Sequence, residues 1–539
     1  MKSLFNFKTF QLVAVISLTA TGLSAVSASD KEAAAVSSKF FETDTKDLPE
    51  IVPTQEIQLK DGDSFEITAA PAKQKINGKW IRRLAYNRMI PGPLLRVHQG
   101  ATVHVTLKNQ LSIDTTLHPH GLRGDPKYDG IPGIGQPPIK PGSSYEYVLN
   151  FIDYGMYWYH PHIRDDYTED MGLYGAIIVQ PKADGALRAV DREIPVVVDD
   201  IDLSPGGTSY RRDVTTHTLM GRYGSTYLVN GTVLPEFYVA AGARIRFYVL
   251  NVANSRVFRF AIPGVPLTLV GGDNGRMQAT EPVEAVTIGP GERYLIEATA
   301  PSKVSDFDIM NAKPNHPVRL ARMKVIPAPQ PIPAIASQES TVDAPLFSTD
   351  ELARFRGKAA GPVDYALRLN VIMDHNKLPM NMKGGHQHPE PKSPAAKATL
   401  YQQGRTTGIE WDDDMGEMNR KSTDESVAWQ MIDEADQKVN MAINWSLKKG
   451  NLYHIRIKNA LDSMHPMQHP IHFHGQRFLV MSINGEANPN LGWKDTVLLG
   501  KGDVADLVLE ATHPGAWMAH CHILEHIGAG MMMGFSVTE

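Results

Sequence analysis

The sequence has almost no cysteine, because Cys521 is the only one among 539 residues. A single thiol cannot form an intramolecular disulfide, so core packing and bound ligands must stabilise the fold. The chain also lacks a strong excess of either charge, with 54 Lys and Arg residues against 59 Asp and Glu residues. This mildly acidic balance argues against a nucleic-acid partner.

After its N-terminus the chain lacks any stretch that is long and apolar enough to span a bilayer. Residues 1–28 predict a secretory signal, because Lys2 and Lys8 precede a short apolar segment and Ala-Val-Ser-Ala stands at 25–28. We therefore expect an exported protein, periplasmic or secreted. Residues 29–48 are rich in Ala, Ser, Lys, Asp and Glu, a composition that predicts a flexible leader.

From residue 49 onward, short β-branched or aromatic runs alternate with Gly, Pro and Asn turns, and long amphipathic helical runs are few. This pattern predicts an all-β chain of stacked sandwiches or barrels. At 539 residues the chain exceeds the size that one hydrophobic core supports. We predict three domains, at 49–183, 184–328 and 361–539, with a linker at 329–360 that begins in a Pro-rich run.

The segment around the single cysteine carries the strongest chemical signal. In an extended strand His520 and His522 point to one face and Cys521 points to the other, so one strand can serve two metal sites. A thiolate, two imidazoles and a weak axial thioether form the ligand set of a blue-copper centre. Cys521 supplies the thiolate, His526 one imidazole and Met531 the axial contact. The peptide between the two sites would then carry electrons.

Three further histidine groups have the same adjacent-but-one spacing. They are His118-Pro119-His120, His160-Pro161-His162 and His469-Pro470-Ile471-His472-Phe473-His474. One such pair alone is more often a solvated face or a satisfied core pair, but four groups together reverse that interpretation. Through HPHG, YWYHPH, HPIHFHG and HCHILEHIGAGM, the chain resembles the multicopper oxidase family over nearly everything after its N-terminal extension.

The resemblance implies three consecutive cupredoxin-like Greek-key β-barrel or sandwich domains and four coppers per chain. It assigns the type 1 copper to His469, Cys521, His526 and Met531, the type 2 copper to His118 and His472, and the type 3 pair to His120, His160, His162, His474, His520 and His522. Few ligands per metal leave open positions where dioxygen can bind. Because the cluster ligands come from both ends of the chain, the first and third domains must meet. The middle domain, with no ligand group, is expected to act as a spacer.

The resemblance also implies the reaction: four one-electron oxidations at the type 1 copper, coupled to reduction of dioxygen to water. Cys521, His520 and His522 would transfer the electrons, which we expect to enter through surface-facing edges of His469 and His526. Asp129 matches the acidic position that family members use near the cluster, which implies a proton relay. A turn-forming Asp before Gly is an equally good interpretation of Asp129.

Two other acidic positions remain open at this stage. Many bacterial relatives carry Glu directly after the histidine that corresponds to His526, whereas this chain has Ile527, so its second proton donor is in doubt. Glu525 lies nearby in sequence, but its direction cannot be read. Asp495 could orient a blue-copper histidine, although an ordinary strand-end Asp is the simpler interpretation.

The histidines outside the ligand groups receive no metal role. His104 lies on the polar face of an alternating run, which predicts a surface position. For His465, four residues before His469, a structural role is the preferred interpretation.

The residues leave the reducing substrate open. Laccase-like oxidation of phenols or aromatic amines needs only an accessible histidine edge and is slightly favoured. Cu(I) oxidation needs soft or acidic donors near that edge, and the third domain offers Met373, Met380, Met382, His386, His388, Asp412, Asp413, Asp414, Met415 and Met418. A non-enzymatic alternative is a periplasmic copper-binding or scaffold protein.

Overall fold

The computed structural model describes residues 39–182, 186–328, 345–374, 376–377 and 406–539. Strands dominate these residues, and they form three consecutive units of two packed sheets each. Each unit has its own large core cluster of buried aliphatic and aromatic side chains. The predicted all-β fold of three consecutive cupredoxin-like domains is therefore confirmed. Within these described residues, no helix has the length and apolarity that a bilayer crossing requires.

The first unit has a five-stranded sheet in the order β1-β4-β9-β8-β6 and a four-stranded sheet in the order β3-β2-β5-β7. Alternating runs such as the one in β5 bury one face, as period-two patterning requires. The elements are β1 (Glu56–Gln58), β2 (Ser64–Ile76), β3 (Lys79–Tyr86), β4 (Leu94–His98), β5 (Thr102–Asn109), β6 (His118–His120), a 3-10 turn (Pro126–Tyr128), β7 (Ser144–Asn150), β8 (Gly155–His160), α1 (Asp165–Thr168) and β9 (Gly175–Gln180).

The second unit has sheets in the orders β11-β10-β13-β18-β15-β16 and β12-β20-β19-β14-β17. Its strands are β10 (Arg192–Ile201), β11 (Thr226–Val229), β12 (Glu236–Ala240), β13 (Arg244–Asn251), β14 (Phe258–Ala261), β15 (Leu267–Gly272), β16 (Gly275–Val283), β17 (Val286–Ile288), β18 (Arg293–Thr299), β19 (Ser305–Asn311) and β20 (Val318–Ile326).

The third unit repeats the arrangement in the orders β22-β21-β24-β29-β26-β27 and β23-β31-β30-β25-β28. Its elements, with the helix that precedes them, are α2 (Thr349–Ala360), β21 (Tyr365–Met373), α3 (Gly416–Lys421), β22 (Val427–Asp433), a 3-10 turn (Asn440–Ala442), β23 (Asn444–Lys448), β24 (Leu452–Asn459), β25 (His469–Phe473), β26 (Arg477–Ile483), β27 (Glu486–Ala487), β28 (Thr496–Leu499), β29 (Val504–Glu510), β30 (Gly515–Cys521), α4 (Leu524–Gly528) and β31 (Met532–Thr538).

Two segments differ from the sequence-based expectation. At the end of the predicted leader Phe41 is buried, and its ring stacks on that of Tyr167 with 3.8 Å between centroids. The leader's polar composition hid this single large apolar anchor. Within the predicted linker the structure places α2, which begins at a capping box of Ser348 and Glu351 and packs Phe355 against the third unit.

Candidate metal centre

Backbone pairing aligns the histidine groups in two units. In the first unit β6 pairs with β8, so that His118 lies opposite His160. In the third unit β25 pairs with β30, so that His472 lies opposite His520. These short strands belong to sheets in different units, and their side chains meet where the first and third units touch.

At that junction all eight histidines predicted for the cluster come together. The ring centroids of His118 and His474 are 4.1 Å apart, and those of His120 and His472 are 3.8 Å apart, so each of these pairs joins the two units. The donor atoms of all these histidines except His522 fall into compact groups, in each of which every pair of donors is within 4.8 Å. The rings are His118, His120, His160, His162, His472, His474, His520 and His522, all nearly inaccessible to solvent.

The free ring nitrogens of these histidines suit a metal cluster. His118 donates from Nδ1 to the carbonyl of Asp129 over 2.6 Å, and His472 donates from Nδ1 to the carbonyl of Asp495 over 2.9 Å. In both rings the opposite nitrogen, Nε2, is buried with no hydrogen-bond partner, and the same holds for one or both nitrogens of His120, His160, His162 and His522. Buried imidazole nitrogens without partners are rare in proteins unless they bind a metal. The donor set therefore fits copper.

Burial also fixes the protonation state of these rings. Desolvation lowers the pKa of His120, His160, His474, His520 and His522 well below the usual value for histidine, and neighbouring rings lower it further. The imidazoles are therefore neutral near pH 7. A neutral imidazole is the form that binds a metal ion.

The carboxylates of Asp129 and Asp495 contact ring nitrogens of the predicted cluster histidines. The Asp129 carboxylate accepts a hydrogen bond from Nδ1 of His474 over 3.0 Å. Asp495 lies 3.2 Å from Nε2 of His120, so it contacts the predicted cluster rather than a blue-copper histidine. Asp495 directly precedes β28, as the strand-end interpretation expects, but it is not an ordinary strand-end residue, because its carboxylate is fully buried and paired with Arg293.

The middle unit was predicted to act only as a spacer, but it also contributes residues to this site. Arg293, at the start of β18, donates from both terminal nitrogens to the Asp495 carboxylate over 2.6 Å each. Burial would raise the pKa of Asp495, but the Arg293 charge and hydrogen bonds hold it well below its usual value. The preceding Gly291, with φ +82°, packs directly against the His522 ring. The sequence did not indicate that Arg293 and Gly291 contribute to the site, because they stand alone in a unit without histidine groups.

The cysteine side of β30 forms the second donor group. Cys521 Sγ lies 3.6 Å from Nδ1 of His469 and 3.7 Å from Nδ1 of His526, spacings that suit three ligands around one ion. Met531 is buried in the same core, and its carbonyl accepts a hydrogen bond from the Cys521 N–H. Burial raises the pKa of the Cys521 thiol, so a metal must displace its proton on binding.

The expectation that the edges of His469 and His526 approach the surface is wrong. Their exposed fractions are 1% and 0%. The Trp429 ring stacks on that of His526 with 4.1 Å between centroids and lies 4.8 Å from that of His469. Its indole N–H donates to the carbonyl of Thr218, which fixes a segment of the middle unit against the site. Burial, reinforced by the charge of nearby His465, lowers the pKa of His469 to about 3.

A thioether and an imidazole stand beside Trp429. Nε2 of His465 lies 2.9 Å from Sδ of Met220, and both residues are only 2% exposed. The centroid of the His465 ring is 6.4 Å from that of Trp429. Helix α3 supports this pair, because the side-chain oxygen of Asn419 accepts a hydrogen bond from the Met220 N–H. The sequence interpretation assigned His465 a structural role and did not single out Met220.

The side chains that the sequence suggested as Cu(I) donors have different surroundings. Met380, Met382, His386 and His388 lie outside the described residues, and Met373 is buried in the third core. Asp412 is engaged in ion pairs with Arg256 and Lys313. Met415 and Met418 are half-buried against the core that includes Met220, and Asp414 is exposed. His104 is 39% exposed in its side chain and pairs with Glu146, which agrees with its predicted surface position.

Three family models described as multicopper oxidase match residues 68–184, 202–325 and 414–539. A multicopper oxidase of Staphylococcus aureus is 25% identical over 88% of this chain and 89% of its own length. Two solved structures are each 22% identical to this chain. A Campylobacter jejuni multicopper oxidase, titled a metallo-oxidase, has a TM-score of 0.63 and covers 92% of this chain and 98% of its own. A laccase-like multi-copper oxidase of Ochrobactrum sp. has a TM-score of 0.66 and covers 90% and 100%.

The matched models together span most of the chain, and they follow the three units that the structure contains. The chain therefore belongs to the multicopper oxidase family, and it is an oxidoreductase that uses dioxygen as its acceptor.

Proposed function

We propose that this multicopper oxidase oxidises Cu(I) in preference to phenols and couples four such oxidations to the reduction of dioxygen to water. The relatives include both metallo-oxidases and laccases, so their names do not choose between these substrates. The observation that carries the proposal is the burial of both imidazoles of the cysteine site. A phenol ring cannot contact His469 or His526 while Trp429 covers them. This reverses the slight preference for a laccase that the sequence alone suggested.

Soft donor side chains beside the Trp429 ring support Cu(I) as the substrate. The Met220 thioether and the His465 imidazole are side chains that Cu(I) prefers. Trp429 stacks on His526 and lies close to His465, so an electron released there crosses one aromatic ring to reach the cysteine site. We therefore propose these residues for Cu(I) entry, in place of the Met and His stretch that the sequence suggested.

The ligand roles are proposed as the resemblance assigns them. His469, Cys521, His526 and Met531 hold the type 1 copper, His118 and His472 hold the type 2 copper, and the type 3 pair is held by His120, His160, His162, His474, His520 and His522. Bound copper supplies one-electron redox chemistry and the dioxygen site. The backbone from Cys521 to its histidine neighbours carries the electrons, since the strand directs them to opposite faces.

Asp129 is proposed to relay protons. Its carboxylate accepts from Nδ1 of His474 and lies 3.3 Å from Nδ1 of His118, at 5% exposure. This position lets it keep both rings in one tautomer and pass protons towards the space between them.

Export is proposed from the sequence alone. Cleavage after Ala28 would release a mature protein with its copper sites in the periplasm or outside the cell. Mass spectrometry of the protein from periplasmic extract should give an N-terminus at Ser29.

Oxygen consumption by the copper-loaded protein tests the substrate. We expect faster consumption with Cu(I) than with 2,6-dimethoxyphenol, and we expect Met220→Leu to slow the Cu(I) reaction about tenfold through loss of one soft ligand. Met323→Leu, at another buried methionine in the middle unit, is the matched control. Faster turnover of the phenol would support the laccase alternative, and no consumption with either substrate would support a copper-binding role.

A further inference from the structure

A group of buried ionisable side chains lies beside the histidine cluster, and none of its members is assigned a role above. We call it the buried acid cluster and define it as Arg83, Asp170, Tyr174, Asp199, Tyr210 and Arg222. Every member is at most 4% exposed. They come from β3, from the segment between α1 and β9, from β10 and from the loop between β10 and β11, so the cluster joins the first two units.

Short hydrogen bonds tie the carboxylates to tyrosines. The Tyr174 hydroxyl donates to Asp199 over 2.6 Å, and the Tyr210 hydroxyl donates to Asp170. The N–H of Asp200 also donates to Asp199, over 2.8 Å. Each of the two carboxylates is therefore held by a hydroxyl group, in two buried pairs that the same cluster contains.

Arg83 indicates that the buried acid cluster holds something besides protein. Its side chain is 0% exposed, yet none of its three guanidinium nitrogens has a hydrogen-bond partner. It is near enough to Asp170 and Asp199 to oppose the rise in their pKa values. A buried guanidinium needs acceptors, and where protein supplies none, ordered water is the usual partner.

Glu169 connects this group to the histidines. It is 0% exposed, follows α1 directly, and places one carboxylate oxygen 2.9 Å from Nδ1 of His160. On the outer side Asp166 pairs with the half-buried Arg164, and the exposed Asp424 lies near enough to influence both. Acidic groups therefore lie both at the solvent side of this region and against a predicted copper ligand.

Glu525, which directly precedes the predicted ligand His526, also faces this region. Glu525 points into the middle unit, where its carboxylate accepts a hydrogen bond from Asn254 over 3.1 Å and lies 3.8 Å from Arg222.

We propose that the buried acid cluster is hydrated and stores protons for dioxygen reduction, with Asp170 and Asp199 as the carriers. For each proton that leaves the pair for the histidine cluster, one carboxyl of the pair becomes a carboxylate, and a proton from solvent, entering past Asp424, restores it. No electron moves in this step. This proton supply is separate from Asp129 and uses side chains of the first two units.

The electrostatic surroundings suit this storage role. Burial raises the pKa of Asp199 to about 7, and Asp200 adds to the rise while Arg83 and Tyr174 oppose it. Burial also raises the pKa of Asp170, with Asp199 and Glu525 adding and Arg222 and Arg83 opposing. A group that titrates near the working pH, as Asp199 does, transfers protons most effectively.

Single-turnover reoxidation tests the proposal without depending on the reducing substrate. The copper-loaded protein is reduced by ascorbate without oxygen, then mixed with oxygenated buffer in H2O or D2O. At pH 7 we expect Asp170→Asn and Asp199→Asn to reoxidise about tenfold more slowly than the unchanged protein, with a larger solvent isotope effect and little difference at pH 5, where solvent protons are abundant. Asp433→Asn is the control, because this buried carboxylate accepts a hydrogen bond from Trp445 within the third unit, whereas the buried acid cluster joins the first two.

A second readout does not involve turnover. Infrared spectra of the copper-free protein at pH 6 should contain C=O bands of protonated carboxyls, and Asp170→Asn and Asp199→Asn should each remove part of that signal. Tyr174→Phe keeps the charge and should shift the pH at which that signal disappears. The proposal is overturned if the two Asn variants reoxidise like Asp433→Asn at every pH, or if the infrared signal is unchanged in Asp199→Asn.

Discussion

At the level of single residues, the predicted metal donors follow from local sequence, because strand alternation is a local rule. Cys521 and its two histidine neighbours could be placed on opposite faces from sequence alone, and the structure brings Cys521 to His469 and His526. The ion pair of Asp495 could not be predicted, because its partner Arg293 is remote in sequence and comes from another unit. Burial of the His526 edge depends on Trp429, which is equally remote.

Asp129 gives the first prediction. Asp129→Asn keeps the size of the side chain but removes the charge that holds His474 and His118. We expect the blue absorption to persist while reoxidation by dioxygen slows by about 10²-fold, the lower end of the usual contribution of a positioned acid or base. Stopped-flow reoxidation measures this. Asp125→Asn, at a half-exposed carboxylate nearby, should behave like the unchanged protein, and equal rates for both variants would remove Asp129 from the proton path.

Trp429 gives the second prediction. Trp429→Ala uncovers His526, so turnover of 2,6-dimethoxyphenol should rise relative to turnover of Cu(I). Because the ring is 1% exposed, the substitution should also cost about 3–5 kcal/mol of stability, seen in denaturant unfolding. Trp445→Ala, at another buried tryptophan of the third unit, should lose similar stability with no change in the substrate ratio. An unchanged ratio in Trp429→Ala would show that the ring does not control access.

At the level of strands and turns, the turn between β17 and β18 brings residues of the middle unit to the predicted copper cluster, which the sequence could not indicate. It carries Gly291 against His522 and directs Arg293 into the junction of the outer units. Periodicity predicts strands, but it does not show which turn of one unit reaches into another. The middle unit was therefore predicted as a spacer, although it shapes the site.

Gly291→Ala tests this turn. An added Cβ would lie 2.8 Å from Cδ2 of His522 at a φ of +82°, so the ring must move. We expect loss of cluster copper with the blue absorption retained, measured by metal analysis and electron paramagnetic resonance. Gly264→Ala has the same φ of +82° but meets only one ring atom, at 3.8 Å. It isolates the backbone strain, so equal copper loss in both variants would contradict a specific effect on His522.

The junction of β10 with the first unit gives a pH prediction. The pKa of Asp199 is raised from 3.8 to about 7, so the folded state binds the proton more tightly and stability falls as pH rises through this window. This shift corresponds to at most about 4 kcal/mol. In the copper-free protein, Asp199→Asn should make the unfolding temperature less sensitive to pH between 4 and 7. A slope equal to that of the unchanged protein would mean that Asp199 is not protonated in the folded state.

At the scale of the whole molecule, the number and type of domains were predictable, and their contacts were not. Alternating strands separated by Gly, Pro and Asn turns recur along the chain, and these strands pack around three separate cores. Ligand groups at both ends required the outer units to meet. The buried acid cluster arises only where β3, β10 and two loops converge, and the anchoring of Phe41 depends on Tyr167 far along the chain. Such contacts depend on packing between units, which composition and periodicity do not record.

We propose that one cysteine strand joins a blue copper to a three-copper cluster across two domains. Metal analysis of the purified, copper-loaded protein, read together with its visible and electron paramagnetic resonance spectra, tests it most directly. We predict four coppers per chain, strong absorption in the orange-red that disappears in Cys521→Ser, and three coppers retained by that variant. One copper per chain, or no such absorption in the unchanged protein, would contradict the account.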